Sequence, residues 1–331
     1  MGLETAQILA QYGPQYRKGI LNPGDLIKPK YDFSIWDTLF SLVRTESTVI
    51  DNAAWTMLDA RTQKYQKDYL PIGGMAFTPN VIPLTHVMND TELTPAEIEG
   101  GALDFLAAQG LTAFTAPILN IFFQAYMEKA KDKFHRFETF KAVDTSVVAG
   151  TRSAQGGLFQ GVKEQFRLAK LTGAGVPKPT TLLAGNAVPT DPALYVAYVH
   201  ALYDAIPAEN KNDVKAIAVD QDKILLYKEG IRLTRQAYWN QLGQNPQFNT
   251  AKTIQLLDRD CMLVGTFDMS GSNHHWMSLQ GNAVKGVKKD GNMLAWNADQ
   301  MVGGRTIWAS NDYWIGYGFR HWAYCYDNGQ A

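Results

Sequence analysis

Three features of the sequence predict an α+β fold, with helices and strands interleaved rather than set in a regular βαβ series. The first fifty residues are broken up by proline and glycine, the middle of the chain carries capped runs with helical spacing, and short strands dominate after about Thr253. With 331 residues, 46% of them hydrophobic, the chain is long enough to bury one large core or two smaller ones.

In residues 1–50, Gly13-Pro14, Asn22-Pro23-Gly24 and Lys28-Pro29 favour extended and turning backbone. Between them stand isolated aromatic anchors: Tyr16, Tyr31, Phe33 and Trp36. An extended arm provides no core for such residues, so they need either the body of their own chain or a neighbour. Residues 54–88 read as strand, turn, strand: Ala54–Asp59, the charged run Arg61–Asp68, a flexible middle at Ile72–Phe77, and a return strand at Val81–Met88. A two-stranded ribbon of this kind is marginal in water and leans on something else.

Thr94-Pro95-Ala96-Glu97 opens a helix with a capping residue, a proline at the first helical position and an acid three residues after the cap; Gly110 ends it. A second helix runs from Pro117 to about Phe140, with Ile118, Ile121, Phe122, Ala125 and Tyr126 at helical spacing. About 20 residues of helix give a rod of roughly 30 Å. Residues 147–187 are punctuated by glycine and read as loop. Thr190-Asp191-Pro192 opens a further helix that stops at Ile206-Pro207; a strand at Val214–Val219, a helix at Gln221–Gln236, and strands at Thr253–Leu257, Met262–Phe267 and His274–Leu279 follow.

Charge is balanced, 31 Lys+Arg against 32 Asp+Glu, which gives no net pull toward nucleic acid or an anionic membrane. Two cysteines, Cys261 and Cys325, do not make a disulfide framework, and buried structural thiols are the expected fate of both. The N-terminus lacks the apolar core of a signal peptide, and Ala6 stands where a myristoylation signal needs Ser or Thr. The most apolar stretch, Ala113–Met127, is too short and too polar to span a bilayer. These features favour a soluble intracellular chain.

The adjacent His274 and His275 are the strongest candidate for chemistry. Neighbouring side chains on a strand point to opposite faces, so the two could share a metal only from an irregular loop, and the nearest acid is Asp268. A turn entering a strand at the surface is the expectation here. No glycine pair fits a phosphate loop or a dinucleotide fingerprint, no Gly-x-Ser-x-Gly elbow occurs, and Glu97 and Glu99 suit a helix start. No enzyme, cofactor or metal site is expected. The aromatic end alternates, with Tyr313, Ile315, Tyr317 and Phe319 on one side and Trp314, Gly316, Gly318 and Arg320 on the other. A long strand covered on both faces is expected there in preference to a sugar- or base-stacking platform.

The order of parts resembles the tailed-bacteriophage major capsid protein family. The closest local likeness is A-L-Y-V-A-Y-V-H-A-L-Y-D-A-I-P-A-E-N-K-N-D-V-K-A-I-A-V-D-Q-D-K, residues 193–223, which is similar to that family's helix, Ile-Pro turn, strand and next helix. Residues 254–281 are similar to the two strands that follow. The resemblance implies a tailed-phage major capsid fold: an N-terminal arm at 1–50, an extended β-hairpin loop at 51–90, a peripheral domain with a long spine helix at 91–155 and 282–331, and an axial domain at 156–281. It also implies self-association into pentamers and hexamers of an icosahedral virion shell, assembled in the host cytoplasm and enclosing double-stranded DNA without sequence-specific binding. Further partners would be a separate scaffolding protein and a portal, with no membrane. On this reading Tyr16, Phe33, Trp36, Arg61, Lys64, Lys67 and Asp68 are the expected intersubunit contacts. Two rivals fit the same residues: an encapsulin-type nanocompartment shell, and a carbohydrate-binding module suggested by the tryptophan-rich end.

Overall fold

The computed structural model describes residues 35–58, 74–93, 117–145, 154–173, 176–185, 187–234, 252–257, 259–288, 297–300 and 307–330. The helix expected at 94–110 lies outside them. The chain divides into two compact units, one made of 1–33, 86–133 and 290–313, the other of 34–85, 134–289 and 314–331. Both contain helix and sheet, in keeping with the α+β expectation.

In the second unit, β1 (Ser41–Thr45) is followed by the ribbon β2 (Val49–Leu58) and β3 (Gly74–Pro83), and then by β4 (Thr85–Leu93), which begins there. The ribbon is antiparallel over its whole described length, from Val49 opposite Pro83 to Leu58 opposite Gly74. Two expectations change here. Gly74–Phe77 is ordinary ladder rather than a flexible middle, because it pairs with Trp55–Leu58. The single return strand is two strands, broken at Leu84, whose N–H donates to the Thr48 carbonyl while its side chain is buried.

The long helix is α1, Pro117–Phe137, 21 residues, close to the predicted span. Within the first unit its Tyr126 hydroxyl donates to the Asp90 carbonyl at 2.8 Å and Met127 is buried. In the same unit β11 (Asn297–Gln300) pairs antiparallel with Ile307–Ser310 of β12 (Ile307–Phe319). A helix the glycines had hidden, α2 (Val162–Leu171), occupies the stretch read as loop; it buries Val162, Phe166 and Ala169, at the i, i+4, i+7 spacing of one helical face.

The main core of the second unit is a six-stranded sheet in the order β5-β13-β9-β6-β8-β7, formed by Thr180–Thr181 (β5), Ala216–Asp220 (β6), Thr253–Gln255 (β7), Met262–Thr266 (β8), Trp276–Ser278 (β9) and Cys325–Asp327 (β13). Five of these strands come from the 156–281 segment, and the sixth comes from the carboxyl end. Helices α3 (Pro192–Asp204) and α4 (Gln221–Thr234) pack together through Gly230, where a Cβ would collide with the Pro192 carbonyl oxygen and Val196. Asp191 caps α3 by accepting from the Leu194 N–H at 3.0 Å. Tyr195, Val199, Leu202, Ile217, Ile224, Tyr227 and Leu263 are all fully buried in this core.

The ribbon's root sits on a glycine track. Strand β10 (Ala283–Lys288) pairs with Ile315–Phe319 of β12 and, in parallel, with β1. Gly286, Gly316 and Gly318 lie under the ribbon root: a Cβ on Gly286 would meet Ile50 and Leu84 at 2.5 Å, one on Gly318 would meet Ile82 at 2.9 Å, and one on Gly316 would strike the Pro83 carbonyl oxygen. The bare backbone lets Ile50, Ile82 and Leu84 seat directly on the sheet with Val284. Asn80 Nδ2 adds bonds to the carbonyls of Phe319 (2.5 Å) and Arg320 (3.2 Å). The other face of β12 buries Ile315, Tyr317 and Phe319, so from Ile315 to Phe319 the strand is covered on both faces, as its alternation predicted, while Asp312 is exposed. Replacing Gly316 with alanine should therefore lift the ribbon root. We expect a stability loss of about 1–3 kcal/mol, read as a lower urea midpoint by tryptophan fluorescence; an unchanged midpoint would show that the track does not need its glycines.

Candidate functional site

The histidine pair is fully buried, which corrects the surface turn expected from sequence. His274 and His275 are each 0% exposed. The signal missed was the carboxyl end: Asp327 and Asn328, more than fifty residues away, supply the partners, and sequence spacing gives no hint of it.

His274 Nε2 lies 3.2 Å from Asp327 Oδ2, and its ring stacks on Phe140 and meets Phe166 edge-on at 5.3 Å. Its Nδ1 has no hydrogen-bond partner among the described residues. Both facts fit a neutral ring that donates from Nε2 and leaves a bare lone pair against the aromatic rings. Burial holds the His274 pKa below the ordinary histidine range, against the pull of Asp327. The Asp327 carboxyl is raised by burial and lowered more strongly by His274 and by Lys170, whose ammonium sits 2.5 Å away, so it stays below the usual carboxylate range. Its other oxygen accepts from the Thr181 hydroxyl at 3.0 Å.

His275, the last residue before β9, faces a different set of partners from His274. Its Nε2 lies 2.8 Å from the Tyr195 hydroxyl and its Nδ1 3.0 Å from the Asn273 carbonyl. A carbonyl only accepts, so Nδ1 carries the proton and Nε2 accepts from Tyr195. Burial drives the His275 pKa down to about 3. Asn328 completes the knot: its Oδ1 accepts from the His275 N–H at 3.0 Å, and its Nδ2 donates to the Asn273 carbonyl at 2.8 Å and the Tyr198 hydroxyl at 3.1 Å.

This arrangement ties strands together. His275 uses both ring nitrogens in hydrogen bonds and His274 uses one, and among the described residues no group of three His, Cys, Asp or Glu could hold a metal. Asp268, the acid nearest in sequence, is buried elsewhere, accepting from the Thr139 hydroxyl at 2.7 Å and lying 3.0 Å from His135 Nδ1. Cys261 and Cys325 are buried as expected, and burial raises both thiols, Cys261 to about 12. A thiol held so far above neutrality is not a nucleophile.

The remaining candidate is surface. Trp36 is 0% exposed, packed against Phe40, Phe140 and Trp276 of its own unit, so its indole has no face left for the intersubunit contact expected of it. The neighbouring Asp37 ties this turn to the sheet: its carboxyl is raised by burial but held below the ordinary range by Lys285 at 2.6 Å, with the Tyr317 hydroxyl at 2.9 Å. Tyr16, Phe33, Arg61, Lys64, Lys67 and Asp68 lie outside the described residues. Beside the ribbon root, a groove of about 520 Å³ runs between Ile82, Phe159, Leu168 and Phe319. Leu168, Leu171, Val176 and Val81 are 38–69% exposed in this part of the unit. Further round, Leu194, Leu225 and Leu233 on α3 and α4 are each about 60% exposed. Beyond its root the ribbon pairs with no other strand among the described residues. Among those residues, no helix is long and apolar enough to cross a membrane.

The fold is similar to that of a chain from the capsid of an empty GTA particle with C5 symmetry, over 98% of this chain and 98% of the other, at TM-score 0.51 and 12% sequence identity. It is also similar to a chain of Mycobacterium phage Ogopogo, over 93% of this chain and 98% of that one, at TM-score 0.54 and 9% identity. The fold is a phage-capsid fold. No family model and no curated protein matches the sequence. The buried histidines fasten strands inside the second unit, and the leucines of α3 and α4 lie on its exposed surface.

The interior fastening is acid-sensitive in a direction the geometry fixes. Both histidines have folded pKa values below the unfolded value of 6.5, so the unfolded chain binds more protons below that pH. Their contribution is complete above pH 6.5 and is lost as pH falls toward the folded values, about 3 for His275. Asp327 adds to the loss only below 3.8. Stability from urea unfolding should fall with a slope approaching about 1.4 kcal/mol per pH unit from His275, with His274 adding in the same direction. A flat profile between pH 6.5 and 4.5 would contradict this burial.

Proposed function

We propose that this chain is the major capsid protein of a tailed bacteriophage, a structural subunit and not an enzyme. It self-assembles into hexamers and pentamers of an icosahedral shell that encloses double-stranded DNA. Residues 1–50 act as the N-terminal arm, 51–90 as the extended loop, 91–155 with 282–331 as the peripheral domain around the spine helix, and 156–281 as the axial domain. The observation that carries this reading is the likeness along essentially the whole of both chains to a capsid subunit of a GTA particle.

Three physical features support it. A two-stranded ribbon is marginal by itself in water, and a ribbon paired with no other sheet gains its stability where a neighbour covers it. Large exposed apolar side chains in groups, such as the leucines of α3 and α4, fit subunit interfaces better than free surface. Balanced net charge suits a wall that contains DNA without gripping its phosphates. Arg61, Lys64, Lys67 and Asp68 at the loop tip form ion pairs with adjacent subunits, Tyr16 and Phe33 of the arm lie on a neighbour, and a separate scaffolding protein and a portal complete the assembly.

Light scattering after size exclusion, with negative-stain images of each peak, tests the reading. Rings of five or six, sheets or closed shells are the expected products; shells filled with an enzyme cargo instead of DNA would favour the nanocompartment. A monomer that stays single at high concentration, even when produced with the scaffolding protein, would sink it. Reversing these charges together (R61E, K64E, K67E) should abolish particles and leave the melting temperature of the free subunit unchanged.

A further inference from the structure

Asn328-Gly329 is the only Asn-Gly pair in the chain. That dipeptide is the one most prone to deamidate, because nothing on glycine hinders its backbone nitrogen from attacking the preceding side-chain amide. In this fold the pair is split between two environments. Asn328 is 0% exposed and Gly329 is exposed, with a left-handed φ of +75°.

The amide that must be attacked is held on both sides. Oδ1 accepts from the N–H groups of His275 (3.0 Å) and Gln330 (3.4 Å), and Nδ2 donates to the Asn273 carbonyl (2.8 Å) and the Tyr198 hydroxyl (3.1 Å). Reaction requires Cγ to swing toward the Gly329 nitrogen, which breaks all four bonds at once.

We propose that Asn328 is a fold-gated deamidation site, protected while the carboxyl-terminal clamp is closed and converted when it opens. The Gly329 nitrogen forms a bond to Asn328 Cγ and loses its proton, ammonia leaves, and the resulting succinimide takes up one water to give aspartate or isoaspartate. The change is one-way for the clamp. A carboxylate only accepts, so it cannot donate to the Asn273 carbonyl, and it sets a second negative charge beside the buried Asp327 carboxylate. Isoaspartate further adds one backbone carbon to a segment in which the Asn328 N–H donates to the His275 carbonyl. A subunit that has once opened here and reacted is thereby marked and hindered from closing again. This inference rests on the fold and is independent of the capsid reading.

The test uses the full chain, incubated in mildly alkaline buffer, with and without concentrated urea. Peptide mass spectrometry then follows the amide-to-acid change at Asn328. We expect the native chain to react roughly a hundredfold or more slowly than the chain in urea, since reaction waits on local opening. Tyr198→Phe removes one acceptor of the amide and leaves the Asn-Gly chemistry intact. It should speed the native reaction several-fold and leave the rate in urea unchanged. Equal rates in the two conditions would overturn the gate, and a slow native rate that Y198F does not move would overturn the clamp as its cause. Asn328→Asp, made directly, should lower the urea midpoint; an unchanged midpoint would overturn the one-way character.

Discussion

One buried carboxylate sets what the rest of the second unit can do. Asp327 is fully buried and bonded to three groups: a lysine on α2, a threonine on β5, and the histidine that leads into β9. A buried charge costs several kcal/mol unless it is paired and hydrogen-bonded, so this geometry is all or nothing. If Lys170 or His274 is displaced, the buried charge loses one of the three groups that stabilise it. The sheet, α2 and the carboxyl end are thereby held to a single arrangement, and the six-stranded order with a terminal strand inside it becomes rigid. Asn328 does the same work with uncharged groups on the other side of the strand, reaching α3 through Tyr198.

The glycine track at the ribbon root answers a different need. A ribbon that must extend away from its own core requires a root that does not lever out. Removing three side chains from β10 and β12 allows Ile50, Ile82 and Leu84 to bury against backbone, where contact area per residue is greatest. Asn80 secures the exit with bonds to two carbonyls at the end of β12. The cost lies at the far end, where the described ribbon pairs only with itself. For the capsid role we propose, a fixed root with the rest left for a neighbour to cover would let a folded monomer gain from association.

The elements legible in the sequence are those whose signals are local. Asp191 and Pro192 announce α3, the spacing from Ile118 to Tyr126 announces α1, and the alternation from Tyr313 to Phe319 announces a strand buried on both faces. Helix α2 was hidden because Gly161, read as loop punctuation, is there for close approach: a Cβ on it would sit 2.6 Å from the Phe140 carbonyl oxygen. Gly161 also gives α2 a start without a side-chain cap. The environment of His274 and His275 could not be read either. Their burial depends on Asp327 and Asn328, joined to them through the pairing of β9 with β13, and pairing between distant strands leaves no periodic trace in either segment. Trp36 looked like an anchor for a neighbour because its flanking sequence resembles an arm; what decides its place is the cavity among Phe40, Phe140 and Trp276, which only the folded chain provides.

These same constraints explain how a capsid fold is kept at about a tenth sequence identity, as with the GTA particle. A reaction centre fixes residue types at fixed positions, because the chemistry fails without them. A fastening knot fixes only the requirement that a buried charge find donors and that a donor find an acceptor. A glycine track fixes only closeness. Many residue sets meet such demands, and cores tolerate wide substitution provided volume and patterning are kept. In this chain the demands are met by a strand from the carboxyl end in the main sheet, a ribbon seated on bare backbone, and a long helix beginning at a proline. A fold held by such contacts can change many residues while the contacts survive, so its likeness to other folds is legible in topology more than in any motif.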